Sequence, residues 1–229
     1  MNKLLLGLVF FISVGAFAQD STTTDKPGLY YLYQNNFNMA MKYNDPLAAR
    51  TALYSMLSLD PNDDSLRYTL AYTYFDARQY PSALLTCMDV IALNPRHAAA
   101  LEMSGICYEE LGLKDKAITS YEKLYLLTDN AQTLYNLTYL QYELKRYTEC
   151  EVNLDILLKT EGLDEKTLIM QIDENQQQEF PLRVATLNLS GLVKKEQGDK
   201  EGARAEFNKA LELQPDFIFA KNNLEELDK

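Results

Sequence analysis

One histidine and three cysteines are the side chains best suited to metal binding or nucleophilic chemistry in this chain of 229 residues. His97 follows Pro95 in a predicted loop and has no nearby cysteine. A zinc site needs three or four ligands held together, and a serine–histidine–aspartate triad needs two further groups in fixed positions. We therefore predict no metal site and no catalytic residue, and we expect His97 to be exposed to solvent.

The common phosphate-binding and nucleophile motifs are also absent. The sequence contains no GxGxxG, GxxxxGK[ST], GxSxG or HExxH. Aspartate and glutamate are plentiful, but they are scattered along predicted helices, as on a solvated surface, with no convergence of roles. The sequence thus predicts a protein that is not an enzyme and that needs no cofactor.

The three cysteines fall at predicted helix positions. Cys87 and Cys150 occupy positions that face the packing between helices, where a free cysteine acts as a small apolar residue. Buried reduced thiols are the favoured prediction, because distances between helices often exceed the narrow range of a disulfide. The alternative is a disulfide between Cys87 and Cys107, which is conceivable in an exported protein.

The tyrosines show a regular spacing, with 16 Tyr and no Trp in the chain. Two groups of three aromatic residues share the spacing i, i+4, i+7, namely Tyr68, Tyr72, Phe75 and Tyr135, Tyr139, Tyr142. Residues so spaced lie on one face of a helix. Such a face either binds a partner or fills irregular packing between neighbouring helices.

The elements that carry these residues form an internal repeat. Pro61 and Pro95 lie 34 residues apart, and each ends a predicted helix. Small residues recur on the predicted second helices, at Ala49, Ala83, Ala117, Cys150 and Ala203. Larger residues recur four positions later, at Leu53, Cys87, Tyr121, Leu154 and Phe207. Small residues recur on the first helices as well, at Ala71, Gly105, Thr138 and Gly191.

This repeated pattern resembles the tetratricopeptide repeat family, whose unit is a helix–turn–helix of 34 residues. The resemblance covers roughly residues 30–229. It implies an all-α fold, a right-handed α-solenoid of about five helix pairs followed by a C-terminal cap helix. The predicted repeats span residues 30–63, 64–97, 98–130, 131–164 and 184–217. Arg67 departs from the family pattern at an apolar position, and Lys145 stands where a turn glycine is common.

The period fails once, at residues 165–183. We predict a small β-hairpin there, with strands near Thr167–Ile172 and Gln177–Leu182. The alternatives are a lengthened helix capped by a polar loop and a disordered loop. After the last repeat, we expect a cap helix over residues 216–228, with Asp216 as its N-cap.

The N-terminus has the pattern of an export signal over residues 1–18. Lys3 precedes an apolar run, and Ala16 and Ala18 form a small-residue cleavage site. The apolar run is short for a membrane span, so we expect cleavage before Gln19 and no integral span in the mature chain. Residues 19–29 are predicted to be a disordered leader, and the protein to be exported, to the periplasm or beyond the cell.

The net charge of −11 bears on the partner. Acidic residues are spread along the chain, and no basic stripe of the kind that neutralises phosphates is visible. We therefore exclude nucleic acid and predict a protein or peptide partner that is neutral to basic.

The family resemblance implies where that partner binds. The positions that match the concave groove of the family are Tyr31, Tyr68, Tyr72, Phe75, Glu102, Glu109, Tyr135, Tyr139 and Tyr142. We predict a scaffold of an envelope assembly that holds an extended peptide in this aromatic, acidic groove. The alternative is a structural component that self-associates through the 165–183 insertion and the ends of the array.

Overall fold

The computed structural model describes residues 27–172 and 176–228. The chain divides into two compact units, with the boundary between Thr128 and Asp129. Each is described here by itself, as the N-terminal unit (27–128) and the C-terminal unit (129–228). The predicted signal peptide and residues 19–26 of the predicted leader lie outside the described residues.

The N-terminal unit consists of three helix pairs. Its helices are α1 (Gly28–Lys42), α2 (Pro46–Leu59), α3 (Asp64–Asp76), α4 (Tyr80–Leu93), α5 (Ala98–Glu110) and α6 (Lys114–Thr128). The first helix thus starts inside the predicted leader, which was expected to reach residue 29. Side chains cap several of the helices, since Asp45 accepts a hydrogen bond from the Ala48 N–H at 3.0 Å and Asp63 from the Leu66 N–H at 2.8 Å.

The C-terminal unit contains two helix pairs, an insertion and a final helix. Its elements are α7 (Ala131–Glu143), α8 (Tyr147–Lys159), β1 (Thr167–Gln171), β2 (Gln177–Pro181), α9 (Leu182–Glu196), α10 (Lys200–Leu213) and α11 (Ile218–Leu227). The predicted fold of helix pairs, one small inserted hairpin and a C-terminal helix is therefore confirmed. Over residues 27–172 and 176–228, no helix is both long and apolar enough to cross a membrane.

Close contacts between the two helices of a pair explain the recurring small residues. Ala49, Ala83 and Ala203 are fully buried. A Cβ atom at Gly191 would lie 2.4 Å from Cε1 of Phe207, well inside van der Waals contact. The α9 and α10 backbones can therefore approach closely only because position 191 lacks a side chain.

The turns within the pairs require a left-handed residue. Gly112 and Gly198 take φ values of 73° and 86° there, as expected for glycine. Arg78 and Lys145 occupy the same turn position with φ values of 55° and 59°. An L-residue pays a steric cost in this region, so these two turns are locally unfavourable.

The insertion is an antiparallel hairpin packed onto the C-terminal unit. Leu168 of β1 pairs with Phe180 of β2, and both are buried, as is Met170. The Phe180 ring stands edge-on to Phe217, with centroids 4.8 Å apart. The strands end within one residue of the predicted positions, and the alternative of a lengthened helix is wrong.

The start of the last helix differs from the prediction. Helix α11 begins at Ile218, its N-cap residue is Phe217, and no side chain caps it. Asp216 instead accepts a hydrogen bond from the Gln214 side chain. Phe217 is fully buried against Phe180, so the aromatic contact, and not a capping carboxylate, sets where this helix starts.

Candidate functional site

The predicted aromatic face of α3 is half-buried in the N-terminal unit. Tyr68, Tyr72 and Phe75 pack against a buried cluster and keep part of each ring exposed. That cluster consists of Ala71, Ala83, Leu84, Cys87, Met103 and Cys107. The sequence left open whether this face packs between helices or is available to a partner. Its rings contribute to packing and also form part of the surface.

His97 extends this face in a way that the sequence analysis missed. Its ring lies against Tyr68, with centroids 4.8 Å apart, and its Nδ1 accepts a hydrogen bond from the Ala100 N–H at 3.1 Å. The expectation of a solvent-exposed histidine is wrong, since His97 is half-buried and caps α5. The repeat register contains the missing indication. Asp63 and Asn130 cap α3 and α7, and His97 lies 34 residues after the first and 33 before the second.

The two acidic groups predicted for the groove differ in their surroundings. Glu109 accepts a hydrogen bond from the Tyr121 hydroxyl at 2.6 Å. Glu102 is half-buried, and its side chain makes no hydrogen bond or ion pair within residues 27–172 and 176–228. Burial raises the pKa of the Glu102 carboxyl above its usual range. The negative charge of Glu102 also contributes to the raised pKa of the neighbouring Tyr68 phenol, although burial of that phenol is the larger cause.

Tyr31 on α1 has a more open position than the other candidates. Its ring is 51% exposed and stands edge-on to Tyr30, with centroids 6.1 Å apart. Among the predicted groove residues, the N-terminal unit therefore has one exposed ring on α1, three half-exposed rings on α3 and the Glu102 carboxylate on α5.

In the C-terminal unit, the predicted assignment of Tyr135 to the groove is wrong. Only 3% of this residue is exposed, so it belongs to the core and is not accessible to a ligand. Tyr139 and Tyr142 are half-buried, with ring centroids 6.2 Å apart. Two of the three predicted tyrosines on α7 thus remain as surface candidates.

Tyr147, at the start of α8, continues the α7 face and was missed by the sequence analysis. Its ring centroid is 6.3 Å from that of Tyr142, and its hydroxyl donates to Oε2 of Glu196 at 3.4 Å. Phe75 and Tyr80 form the corresponding pair in the N-terminal unit, with centroids 5.8 Å apart. An aromatic pair across the helix–helix turn therefore occurs in both units.

Neutral phenols and carboxylates dominate the chemistry of the α7 face. Burial, together with Glu196 and other neighbours, raises the pKa of Tyr142 to about 12. Its hydroxyl therefore stays protonated and can donate hydrogen bonds at neutral pH. Nearby, the Lys195 ammonium lies 2.6 Å from Oε2 of Glu226. The face combines aromatic surface with acceptor oxygens.

The three cysteines take no part in these faces. Cys87, Cys107 and Cys150 are free thiols and fully buried, as the favoured prediction held. Burial raises the pKa of each to about 12, which leaves the reactive thiolate form negligible at neutral pH. Within the part of the chain that the structure describes, no group of three or more His, Cys, Asp or Glu side chains is placed to hold a metal ion.

Comparison with known proteins identifies the repeat. Residues 33–124 match the family model described as anaphase-promoting complex, cyclosome, subunit 3, and residues 184–217 match that of the tetratricopeptide repeat. The human protein O-mannosyl-transferase TMTC3 is 27% identical over 223 residues, covering 87% of this chain and 24% of the human protein. The chain therefore spans about a quarter of the length of that relative.

Solved structures show the same fold at low sequence identity. YrrB, described as a tetratricopeptide repeat protein with an unusual peptide-binding site, has a TM-score of 0.66 at 14% identity, covering 84% of this chain and 90% of YrrB. A tetratricopeptide repeat protein from Parabacteroides merdae has a TM-score of 0.65 at 17% identity, covering 86% of this chain and 72% of that one. MamA has a TM-score of 0.63 at 17% identity, covering 81% and 92% of the two chains.

The paired helices, with small residues at their contacts and a left-handed residue in most of their turns, define an α-helical repeat protein. Residues 184–217 match the tetratricopeptide repeat family, and the chain has the fold of a tetratricopeptide repeat protein. This fold supports a role as a protein–protein interaction scaffold.

Proposed function

We propose that this protein is a non-catalytic scaffold of the cell envelope that binds an extended peptide segment of another protein. The observation that carries the proposal is the repeated aromatic face. Phe75 and Tyr80 in one unit, and Tyr142 and Tyr147 in the other, place adjacent half-exposed rings at the same repeat position. Packing alone does not require these rings to stay partly open to solvent.

The chemistry of the faces indicates the partner. Tyrosine rings offer rigid apolar surface with few rotatable bonds, and their hydroxyls donate hydrogen bonds. The Glu102 carboxylate adds an acceptor of negative charge beside Tyr68. Such a surface suits a segment with apolar or proline residues and with lysine or arginine side chains. These groups supply aromatic contact and hydrogen bonding.

Photo-crosslinking at single positions tests the binding faces. A photoreactive amino acid replaces Tyr72 on α3 or Tyr139 on α7, because both rings are half-exposed. The matched controls replace Leu85 on α4 and Val152 on α8, which are 66% and 59% exposed on the second helices. We expect each tyrosine position to crosslink a partner segment in intact cells and both control positions to give none.

A competition experiment follows from the crosslinked segment. A synthetic peptide of that segment should suppress the crosslink at Tyr72, and its lysine-to-alanine version should bind more weakly. Equal crosslinking from Leu85 and Val152, or a peptide that fails to compete, would contradict the proposed faces. Tyr72→Phe removes only the hydroxyl and keeps the ring that packs on the core cluster. It therefore serves as a variant whose stability matches that of the unaltered protein.

The envelope location is a proposal of its own, based on the export signal in residues 1–18. Mass spectrometry of the N-terminal peptide from the cell-derived protein should give Gln19 as the first residue. A peptide that still starts at Met1 would refute the proposed export.

Self-association is a second candidate function, and one observation favours the N-terminal end of the array as its site. Exposed large apolar side chains are concentrated on α1 and at the start of α2, namely Leu29, Tyr31, Leu32, Met39, Met41, Tyr43 and Leu47. The insertion is less suited, because Leu168, Met170 and Phe180 are already buried within the C-terminal unit.

A further inference from the structure

Helix α1 carries an exposed face that neither the core nor the predicted groove uses. It consists of Leu29, Leu32, Asn36 and Met39 of the helix and Tyr43, its C-cap residue, and we call it the α1 stripe. Its four large apolar members are 54%, 51%, 58% and 70% exposed, in that order. The residues one position later, Tyr30, Tyr33, Phe37 and Ala40, are instead buried or half-buried in the unit.

The spacing of the α1 stripe is that of a helix–helix seam. Its members follow one another at intervals of three, four, three and four residues. Apolar residues at such alternating intervals line the contact of paired helices. A solvent-exposed helix face without a partner does not require apolar residues at these intervals.

The stripe borders an open groove between α1 and α2, of roughly 660 Å3. Small residues Ala40, Ala48 and Ala52 line it together with Met39, Tyr43 and Leu47. Leu47 is 69% exposed. A shallow groove with alanines and long apolar side chains fits a helix laid along it.

The charges around the stripe permit a second copy of this acidic chain to approach. Helices α1 and α2 contain no aspartate or glutamate, and their charged residues are Lys42 and Arg50. Asp45, between the two helices, caps α2. In a chain of net charge −11, this surface is therefore one where two copies can meet without opposing carboxylates on α1 and α2.

We propose that two copies of this chain dimerise through the α1 stripe, with the two α1 helices antiparallel about a two-fold axis at Asn36. Asn36 is the midpoint of the stripe, seven residues from Leu29 and seven from Tyr43. The axis therefore places Asn36 opposite Asn36 of the second copy. It also brings Leu29 opposite Tyr43, and Leu32 within one residue of the position opposite Met39, in an isologous contact.

Asn36 sets the register in this arrangement. Each side-chain amide offers both donors and an acceptor, so two facing amides satisfy each other. A single polar residue in an apolar seam specifies register, because a shifted alignment buries it without a partner. A shifted pairing would place Asn36 against leucine or methionine.

The exposed area is sufficient for a reversible dimer. The exposed fractions of Leu29, Leu32, Met39, Tyr43 and Leu47 correspond to about three fully exposed large side chains, or roughly 600 Å2 per copy. Two copies then bury roughly 1,200 Å2, the lower end of stable interfaces. Residues 19–26, which precede α1, contain no large apolar side chain that could cover the stripe within one chain. The apolar run in residues 4–12 could do so if it is retained, and the experiment tests that case.

The mass of the protein in solution tests the dimer. Light scattering of the chain starting at Gln19 and of the chain starting at Met1 should give twice the chain mass for both at about 100 µM. Leu32→Asp should give a monomer of unchanged helical circular dichroism. Leu85→Asp, at a more exposed leucine on α4, should leave the dimer intact.

Engineered cysteines test the two-fold arrangement. Mild oxidation of Asn36→Cys should link two copies, whereas Leu29→Cys alone should not, because antiparallel helices hold its two copies about 21 Å apart. A mixture of Leu29→Cys and Tyr43→Cys proteins should give the mixed dimer. The unaltered protein is the control for its three buried thiols.

Three outcomes would overturn the proposal. The first is a monomer for the chain starting at Gln19 at the same concentration. The second is a dimer that survives Leu32→Asp, since the contact then lies elsewhere. The third is a dimer of the Gln19 form with a monomer of the Met1 form, because residues 1–18 would then occupy the stripe in the full chain.

Discussion

Replacement of Gly191 by alanine should destabilise the protein although alanine is the better helix former. Position 191 lies within α9, where glycine costs about 1 kcal/mol relative to alanine in intrinsic helix propensity. An added Cβ would lie 2.4 Å from Cε1 of Phe207, more than 1 Å inside an ordinary carbon–carbon contact. Phe207 is fully buried, so its ring has no open space to move into.

The magnitude follows from these two opposing effects. Overpacking of a filled core costs about 1–3 kcal/mol, and the propensity gain offsets about 1 kcal/mol of it. We expect a net loss of about 0–2 kcal/mol in the free energy of unfolding for Gly191→Ala, measured by guanidinium denaturation with circular dichroism. Gly28→Ala is the control, because no atom lies within 4 Å of the Cβ it would add.

A second substitution tests the cause. In a Phe207→Leu background the ring is removed, so Gly191→Ala should then stabilise the protein by about 0.5–1 kcal/mol through helix propensity alone. The sign of the alanine effect thus reverses between the two backgrounds. A stabilising Gly191→Ala in the unaltered protein, or an unchanged sign in the Phe207→Leu background, would refute the close contact as the reason for glycine.

Three further predictions concern a turn, a cap and a buried charge. Lys145→Gly should raise the free energy of unfolding by about 0.5–1 kcal/mol in chemical denaturation, since glycine adopts the φ of 59° without a clash, whereas Lys145→Ala should change little. His97→Ala should cost about 1 kcal/mol and lose hydrogen-exchange protection at the Ala100 amide, which His97→Asn should keep. Burial raises the pKa of Glu102, so the free energy of unfolding should rise as the pH falls from 7 towards the usual carboxyl range. Glu102→Gln should be more stable than the unaltered protein at pH 7 and should lack this rise. Chemical denaturation at pH 7 and at the lower pH measures both effects.

The repeat register made most of the fold predictable. Ala83 and Ala203 are fully buried on the second helices of their pairs, and a packing constraint of this kind repeats with the sequence period. Gly198 likewise takes the left-handed turn conformation that its position requires. The hairpin strands were predictable from their own apolar pattern, which does not depend on the register.

The site was less predictable, because the register assigns a position to a helix face but not its neighbours. Tyr135 and Tyr139 occupy matching positions on one helix, yet Tyr135 is in the core and Tyr139 is at the surface. The difference depends on what packs over each ring. The sequence period gives no information on which residues pack over a ring. The pairing of Tyr142 with Tyr147 across a turn was missed for the same reason.

The contact between Phe180 and Phe217 could not be found from the repeat at all. Phe180 belongs to the insertion, which has no counterpart in the other repeats, and Phe217 follows the last one. The predicted Asp216 cap followed a general rule for helix starts. Burial of a large aromatic ring outweighs one capping hydrogen bond of about 1 kcal/mol, so the helix starts after the phenylalanine.

The Phe180–Phe217 contact also changes how this end of the molecule comes apart. In a simple repeat array each pair touches only its neighbours, and the terminal elements fray one after another. Here one ring precedes the α9–α10 pair in the chain and the other follows it, so the two flanks of that pair hold each other. Helix α11 cannot detach without exposing the hairpin core. A protease acting on the C-terminal end therefore meets one cooperative unit, in which the hairpin, α9, α10 and α11 unfold together.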